Sequence, residues 1–296
     1  MEALGDLFAT YQSLLAFIGL NGLLALSVWV TLSCGQLSLA NAGFMAIGAY
    51  TSAILTVHTR LPFALVLLAG MLAPALVAVP LGLPVLRLRG VFLAIATIGF
   101  GEVVRLFFVN WNFTNGALGL VAIPQRTQLW LVYAALAAAL IGLWRLRGTR
   151  AGLALEAIRE DETAARTMGI DTTLYKLSML VTGAALAGLA GGLEAHLTFM
   201  VAPSGYGFSR VVDMLVQAVV GGTVAFFGPV LGAAFLTALP EVVREVGART
   251  GLAPGPFRLL LNGAVLLAVI LWLPNGLISL PARLRERAKA RARRQA

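Results

Sequence analysis

Residues 35–44, Gly35-Gln36-Leu37-Ser38-Leu39-Ala40-Asn41-Ala42-Gly43-Phe44 or GQLSLANAGF, stand between two long apolar runs. They place Gln36, Ser38 and Asn41 within six positions, with glycines on either side. In a water-soluble chain such a stretch is an ordinary loop. Its meaning changes if the flanking runs cross a bilayer. The whole chain decides that point: of 296 residues 59% are hydrophobic and 12% charged, with mean hydropathy +0.88. Soluble domains carry about 25% charged residues, so this chain has too little charge to cover a water-exposed surface. Its apolar runs are long enough to span. None alternates in the manner of a barrel strand, so the spans are helices, which satisfy their own backbone in lipid.

Working outward from this stretch, apolar segments fall at roughly 11–33, 37–57, 62–86, 91–109, 128–146, 176–199, 211–225 and 226–243, with a ninth at 257–280. The seventh is shorter than the ~20 residues a crossing needs, and reads as half of a re-entrant hairpin or as a short crossing shielded by neighbours. The expected fold is an all-α polytopic membrane protein, a bundle of about eight to ten transmembrane helices. Residues 1–280 form the membrane domain, 147–176 its one large polar insert, and 281–296 a basic cytoplasmic tail. The first residues, MEALGDLFAT, are acidic and lack the basic region of a cleaved signal peptide.

Basic residues set the orientation. Residues 1–59 contain no Lys or Arg. Arg87 and Arg89 close the third segment, six cations from Arg145 to Lys176 follow the fifth, and seven lie between Arg283 and Arg294. All three clusters fit the cytoplasmic side, which puts the N-terminus outside and the C-terminus in the cytoplasm. Arg60, Arg126, Arg210, Arg244, Arg249 and Arg258 fall outside, partly balanced by Asp213, Glu241 and Glu245. The net charge of +9 is therefore a topology signal and not a nucleic-acid footprint.

The sixth span carries Gly183, Ala187 and Gly191 on one stripe and Ala184, Gly188 and Gly192 on the next; Gly228 and Gly232 repeat the spacing. Such stripes let helix backbones approach closely. In the polar insert, Leu153, Ala157, Ala164, Ala165 and Met168 recur at helical spacing, which predicts a short amphipathic helix over 153–169. Gly169 then closes it as a C-cap with Ile170 beyond, and Asp171 opens the next helix as an N-cap. A helix with so many charges and so narrow an apolar face suits docking on a protein, or remains a solvated loop helix.

The segment Glu156-Ala157-Ile158-Arg159-Glu160-Asp161-Glu162-Thr163-Ala164-Ala165-Arg166-Thr167-Met168-Gly169-Ile170 resembles the cytoplasmic coupling loop of permease subunits of ATP-binding-cassette importers. More narrowly, the chain resembles the branched-chain amino-acid permease family, LivM type. GQLSLANAGFMAIGAY matches a first signature, residues 88–105 (LRGVFLAIATIGFGEVVR) a second, and Gly221-Gly222 with Phe227-Gly228-Pro229-Val230-Leu231-Gly232-Ala233 a third. The family commonly has Gly-His where this chain has Ala40-Asn41, and Thr-Gly-Gly where it has Thr114-Asn115-Gly116.

The resemblance implies an importer subunit for branched-chain or other small amino acids in a bacterial inner membrane, with urea or short amides as the alternative cargo. It implies a sister permease of LivH type, two cytoplasmic ATP-binding subunits that hold ATP and Mg, and an extracytoplasmic solute-binding protein. This chain would carry no cofactor and no catalytic group, and it has no Gly-x-x-x-x-Gly-Lys-Ser/Thr phosphate loop. ATPase coupling would fall to Glu156, Ala157, Arg159, Glu160, Asp161, Glu162, Ala165 and Gly169. The substrate pathway would draw on Gln36, Ser38, Asn41, Thr97, Glu102, Arg105, Asn115 and Gly116.

The polar groups have two readings each. Gln36, Ser38 and Asn41 either wet a pathway without holding substrate tightly or bond neighbouring helices, at about 0.6 kcal/mol each. Glu102 and Arg105 share a helix face and form either a packing pair or a polar element of an outer vestibule. Glu194 and His196 stand two apart and do not share a face, which argues against a metal site; Asn262 reads as an interhelical hydrogen bond. An ion-coupled secondary transporter would need more embedded carboxylates than Glu102. An intramembrane enzyme would need a nucleophile beside His58 or His196, and Asp213 stands alone.

Overall fold

The computed structural model describes residues 2–88, 90–223, 225–250 and 263. The predicted span at 257–280, Asn262, the tail 281–296, Arg89 and Arg258 lie outside them. Ten α-helices make up most of the described residues: α1 (Glu2–Leu32), α2 (Asn41–His58), α3 (Phe63–Val85), α4 (Val91–Asn110), α5 (Leu129–Arg147), α6 (Arg150–Glu160), α7 (Glu162–Thr167), α8 (Thr172–Thr198), α9 (Phe208–Gly221) and α10 (Gly228–Thr250). The eight apolar segments predicted within the described residues all become helices. Parts of α1, α3, α4, α5 and α8 are long and apolar enough to cross a membrane. The chain is a multi-pass membrane protein.

α8 is the axis of the bundle and packs against α1, α2 and α3. Its glycine stripes are the reason. A Cβ at Gly188 would collide with the Pro74 ring and the Gly70 carbonyl of α3, one at Gly191 with the Met45 carbonyl of α2, and one at Gly183 would lie 2.8 Å from the Ser27 carbonyl of α1. Only glycine lets three backbones close on one helix. α2 falls short of the hydropathy of a free-standing span, yet twelve of its eighteen residues are buried. Because other helices surround it, it need not be apolar. α3 keeps its helix through Pro74, Pro80 and Pro84, which a packed membrane helix tolerates.

The short α9 ends at Gly221, is capped by Gly222, and packs against α10. A Cβ at Gly221, Gly228 or Gly232 would strike the facing backbone of this hairpin. The Trp29 indole N–H donates to the Thr223 carbonyl at 2.9 Å, and the Asn21 amide donates to Thr237 Oγ1 at 2.9 Å. α9 therefore runs toward the C-terminal end of α1, and α10 runs back along it.

Two expectations need correction. The extended stretch 36–40 is not helical, so the second helix starts at Asn41 and not at residue 37. The insert forms two helices, not one over 153–169. Asp161 breaks them apart with extended φ and ψ (−151°, 106°), and its carboxylate accepts from the Thr163 and Ala164 N–H groups to cap α7. A helix needs a residue outside helical dihedrals at its N-cap, so a single uninterrupted helix cannot keep this cap.

Candidate functional site

Helix ends gather the polar residues at two poles. At one, the end of α1, the end of α5, the start of α8 and the α6–α7 pair come together. The chain leaves α1 through Gly35, whose φ of +75° demands a left-handed residue. Gly35 abuts α6: a Cβ on it would lie 3.8 Å from Cα of Arg159. Beside it, Cys34 is buried and its thiol donates to the Thr31 carbonyl at 3.2 Å. Burial pushes that thiol up to about 12, against the opposing pull of Lys176.

The polar stretch then divides into two kinds of residue. Asn41 Nδ2 donates to Ser27 Oγ on α1 at 2.9 Å, and the Leu39 N–H donates to Thr97 Oγ1 on α4 at 2.9 Å. These two tie the extended segment to its neighbours. Gln36 and Ser38 are equally buried, each 1% exposed, but the Gln36 amide oxygen and nitrogen and the Ser38 hydroxyl have no partner among the described residues. Buried polar groups are nearly always satisfied, and leaving one bare costs about 1–3 kcal/mol. Three bare polar atoms within three residues leave unmet hydrogen-bonding capacity at this buried place.

At the same pole, α6 buries Ala154, Leu155 and Ile158, while Glu156, Ala157, Arg159 and Glu160 face outward. Leu153 and Met168 are 65% and 84% exposed. Of the apolar face predicted for the insert, only Ala165 is buried. Glu162 binds α7 to the start of α8: its carboxylate meets Arg166 and Lys176, each at 2.7 Å, and the Arg166 Nε donates to Thr172 Oγ1 at 2.7 Å. Gly169, at φ +82°, ends α7; its N–H donates to the Arg166 carbonyl and that of Ile170 to the Ala165 carbonyl, the paired bonds of a Schellman cap. Asp171 caps α8, accepting from the Thr173 and Leu174 N–H groups. Gly169 and Asp171 thus take the roles read from their sequence.

The opposite pole holds the remaining residues. Glu102 and Arg105 pair at 2.5 Å on the outward side of α4, away from Gln36 and Ser38. Asn115 and Gly116, both near φ +57°, form a tight double turn beyond α4; Gly116 is buried against the Val109 carbonyl and Asn115 is exposed. The strand-like bridge between Leu120 and Val201 then closes this loop over the bundle end. His196 is fully buried, bonded through Nε2 to Thr56 Oγ1 and through Nδ1 to the Gly192 carbonyl, each at 2.8 Å. Sequence reasoning missed the ion pair of Glu194 with Arg210 at 2.6 Å. The available signal was a carboxylate near the end of one largely apolar helix and a guanidinium near the start of the next. Among the described residues no group of three metal-ligating side chains occurs.

The model of the branched-chain amino acid transport system / permease component family matches residues 10–270. The chain belongs to this permease family. The permease is 33% identical over 290 residues to the high-affinity branched-chain amino acid transport system permease protein LivM of Salmonella typhimurium, and 34% identical over 291 residues to LivM of Escherichia coli. Each match covers 86% of this chain and 66% of the relative, so the chain spans just under two thirds of the relatives' length. A shorter match, 35% over 94 residues, covers 31% of the chain and 29% of a probable LivH permease protein of Methanocaldococcus jannaschii. Among solved structures, PsaBC from Streptococcus pneumoniae in complex with Fab aligns over 88% of the permease and 90% of its own chain, with TM-score 0.47 and 16% identity.

Proposed function

We propose that this chain is the membrane-spanning permease subunit of an ATP-driven importer for branched-chain or other small amino acids. The observation that carries this reading is the α6–α7 pair. It is tied to α8 by Glu162 and held by two caps, yet it turns Leu153, Ala157 and Met168 outward among charges. Apolar side chains presented on a braced polar surface fit a groove on a partner protein. The partner is a cytoplasmic ATP-binding subunit, of which the complete importer has two, with ATP and Mg held there. A sister permease of LivH type completes the membrane pair, and a solute-binding protein outside the membrane delivers cargo. The pole with Arg87, Arg145, Arg147 and Lys176 faces the cytoplasm.

Gly169→Val tests the reading. Space is open around Gly169, but its φ of +82° is strained for a branched residue. The variant should insert and fold, misplace α7, and lose uptake together with cargo-stimulated ATP hydrolysis. Gly169→Asn, which tolerates a left-handed backbone, should retain most of both. Full coupled uptake in Gly169→Val would show that this surface does not transmit the power stroke.

A further inference from the structure

The pole opposite the α6–α7 pair carries charges that the packing of this chain does not use up. Glu102 and Arg105 are 44% and 28% exposed on the isolated chain. Arg105 leans on the start of α9, where a Cβ on Gly207 would lie 3.8 Å from its Cδ. One turn into α9, Arg210 gives one Nη to Glu194 at 2.6 Å, while its buried Nε has no acceptor among the described residues. One turn further, Asp213 is exposed, and no ion pair within 4 Å reaches it among the described residues. Arg210 and Asp213 stand three apart and share a face. The four helical charges and Glu194 thus make one strip of both signs across α4, α8 and α9.

Depth gives the strip its meaning. Asn110 ends α4 and Thr198 ends α8. At 1.5 Å per residue, Arg105 lies ~7.5 Å and Glu102 ~12 Å below the end of α4, and Glu194 ~6 Å below the end of α8. A charge facing lipid at span depth costs about 2.5–3.5 kcal/mol on insertion scales, and such residues face water or protein instead. The strip therefore does not look onto hydrocarbon.

We propose that Arg210 and Asp213 form a passing site on the wall of a water-filled route, where they hold the carboxylate and ammonium of a zwitterionic amino acid. This rests on the reading of the chain as an amino-acid permease. Arg210 has donor capacity left beyond its Nη bond to Glu194, and a guanidinium suits a carboxylate. Asp213 offers acceptors one turn along on the same face. Glu194 holds the Arg210 guanidinium in place and is a positioning residue. A guanidinium shared with Glu194 and one exposed carboxylate bind weakly, as a conducting route requires.

The test uses the complete importer in proteoliposomes, in a Cys34→Ser background. Ser209→Cys, one turn above Asp213 and exposed, reports on the face. A small charged thiol reagent should label it, and L-leucine should slow labelling. 4-Methylpentanoate, which lacks the ammonium, and isopentylamine, which lacks the carboxylate, should not protect at the same concentration. Asp213→Asn or Arg210→Lys should raise the protecting L-leucine concentration about tenfold. An unreactive reporter would mean that partner protein fills this face, and would overturn the site. So would labelling that L-leucine does not slow, or that all three compounds slow alike. Wild-type uptake is measured alongside: absent ATP-driven L-leucine uptake overturns the permease reading, whereas normal uptake with an unprotected cysteine overturns only this site.

Discussion

Within the polar stretch, burial alone does not distinguish the residues, but hydrogen bonding does. Asn41 and Thr97 spend their polar groups on Ser27 and on the Leu39 N–H, so they fix the shape of the extended segment. Gln36 and Ser38 spend none of theirs on the described residues, so they retain capacity for something that enters. Ser38→Cys should therefore react with a small water-soluble thiol reagent in at least one nucleotide state, and Asn41→Cys should react far more slowly. Wild-type Cys34 should stay silent, because a thiol at about 12 leaves roughly one thiolate in ten thousand at pH 8. Equal rates at 38 and 41 would refute the division. Thr97→Val should cost about 1–3 kcal/mol, since it strips a buried N–H of its acceptor while keeping the side-chain shape; a thermal unfolding curve of the purified protein measures it.

Among the helices, α8 is the least tolerant of change. Gly188→Ala adds one methyl where the Pro74 ring and Gly70 carbonyl already stand, and overpacking of this kind costs about 1–3 kcal/mol. Gly99→Ala and Gly142→Ala meet open space on α4 and α5, and with alanine's higher helix propensity should be neutral or slightly stabilising. Equal loss of thermal stability in all three would mean that helix flexibility, and not close approach, explains the glycines. The stripes were legible in the sequence because spacing along one helix is a local property. The same holds for the Gly169 and Asp171 caps, whose partners lie within a few residues. Asp161 was not legible as a breaker, because an Asp suits a solvent-facing helical position as well as a cap. Glu194 and Arg210 were not legible as a pair, because their meeting depends on the loop that carries the chain from the end of α8 to the start of α9. The burial of α2 was hidden for a related reason: its modest hydropathy reflects neighbours that the sequence does not name.

For the molecule as a whole, the question is which side meets lipid. Buried residues make up 67% of the spanning window of α1 and 56% of that of α8, but only 17% of that of α5. α5 packs mainly on α1, through Val132 and the Tyr133 hydroxyl bond to the Leu15 carbonyl. Its other sides are open, and Trp130 and Trp144 stand exposed near its two ends, ~21 Å apart along the axis. Tryptophans at both ends of an apolar helix are the pattern of a lipid-facing span, where the ring anchors at each interface. Arg145 and Arg147 follow Trp144 directly, and on the positive-inside pattern that end is predicted to lie in the cytoplasmic leaflet. Single-tryptophan variants in vesicles should therefore show Trp130 and Trp144 quenched by lipids labelled near the headgroup, while Trp29, bonded to the Thr223 carbonyl between α1 and the α9–α10 turn, should be protected. A quencher confined to the cytoplasmic leaflet should reach Trp144 and miss Trp130. The reverse pattern would invert the orientation and move the Arg210–Asp213 strip to the cytoplasmic half. Protection of both tryptophans would instead make α5 a surface that another protein covers.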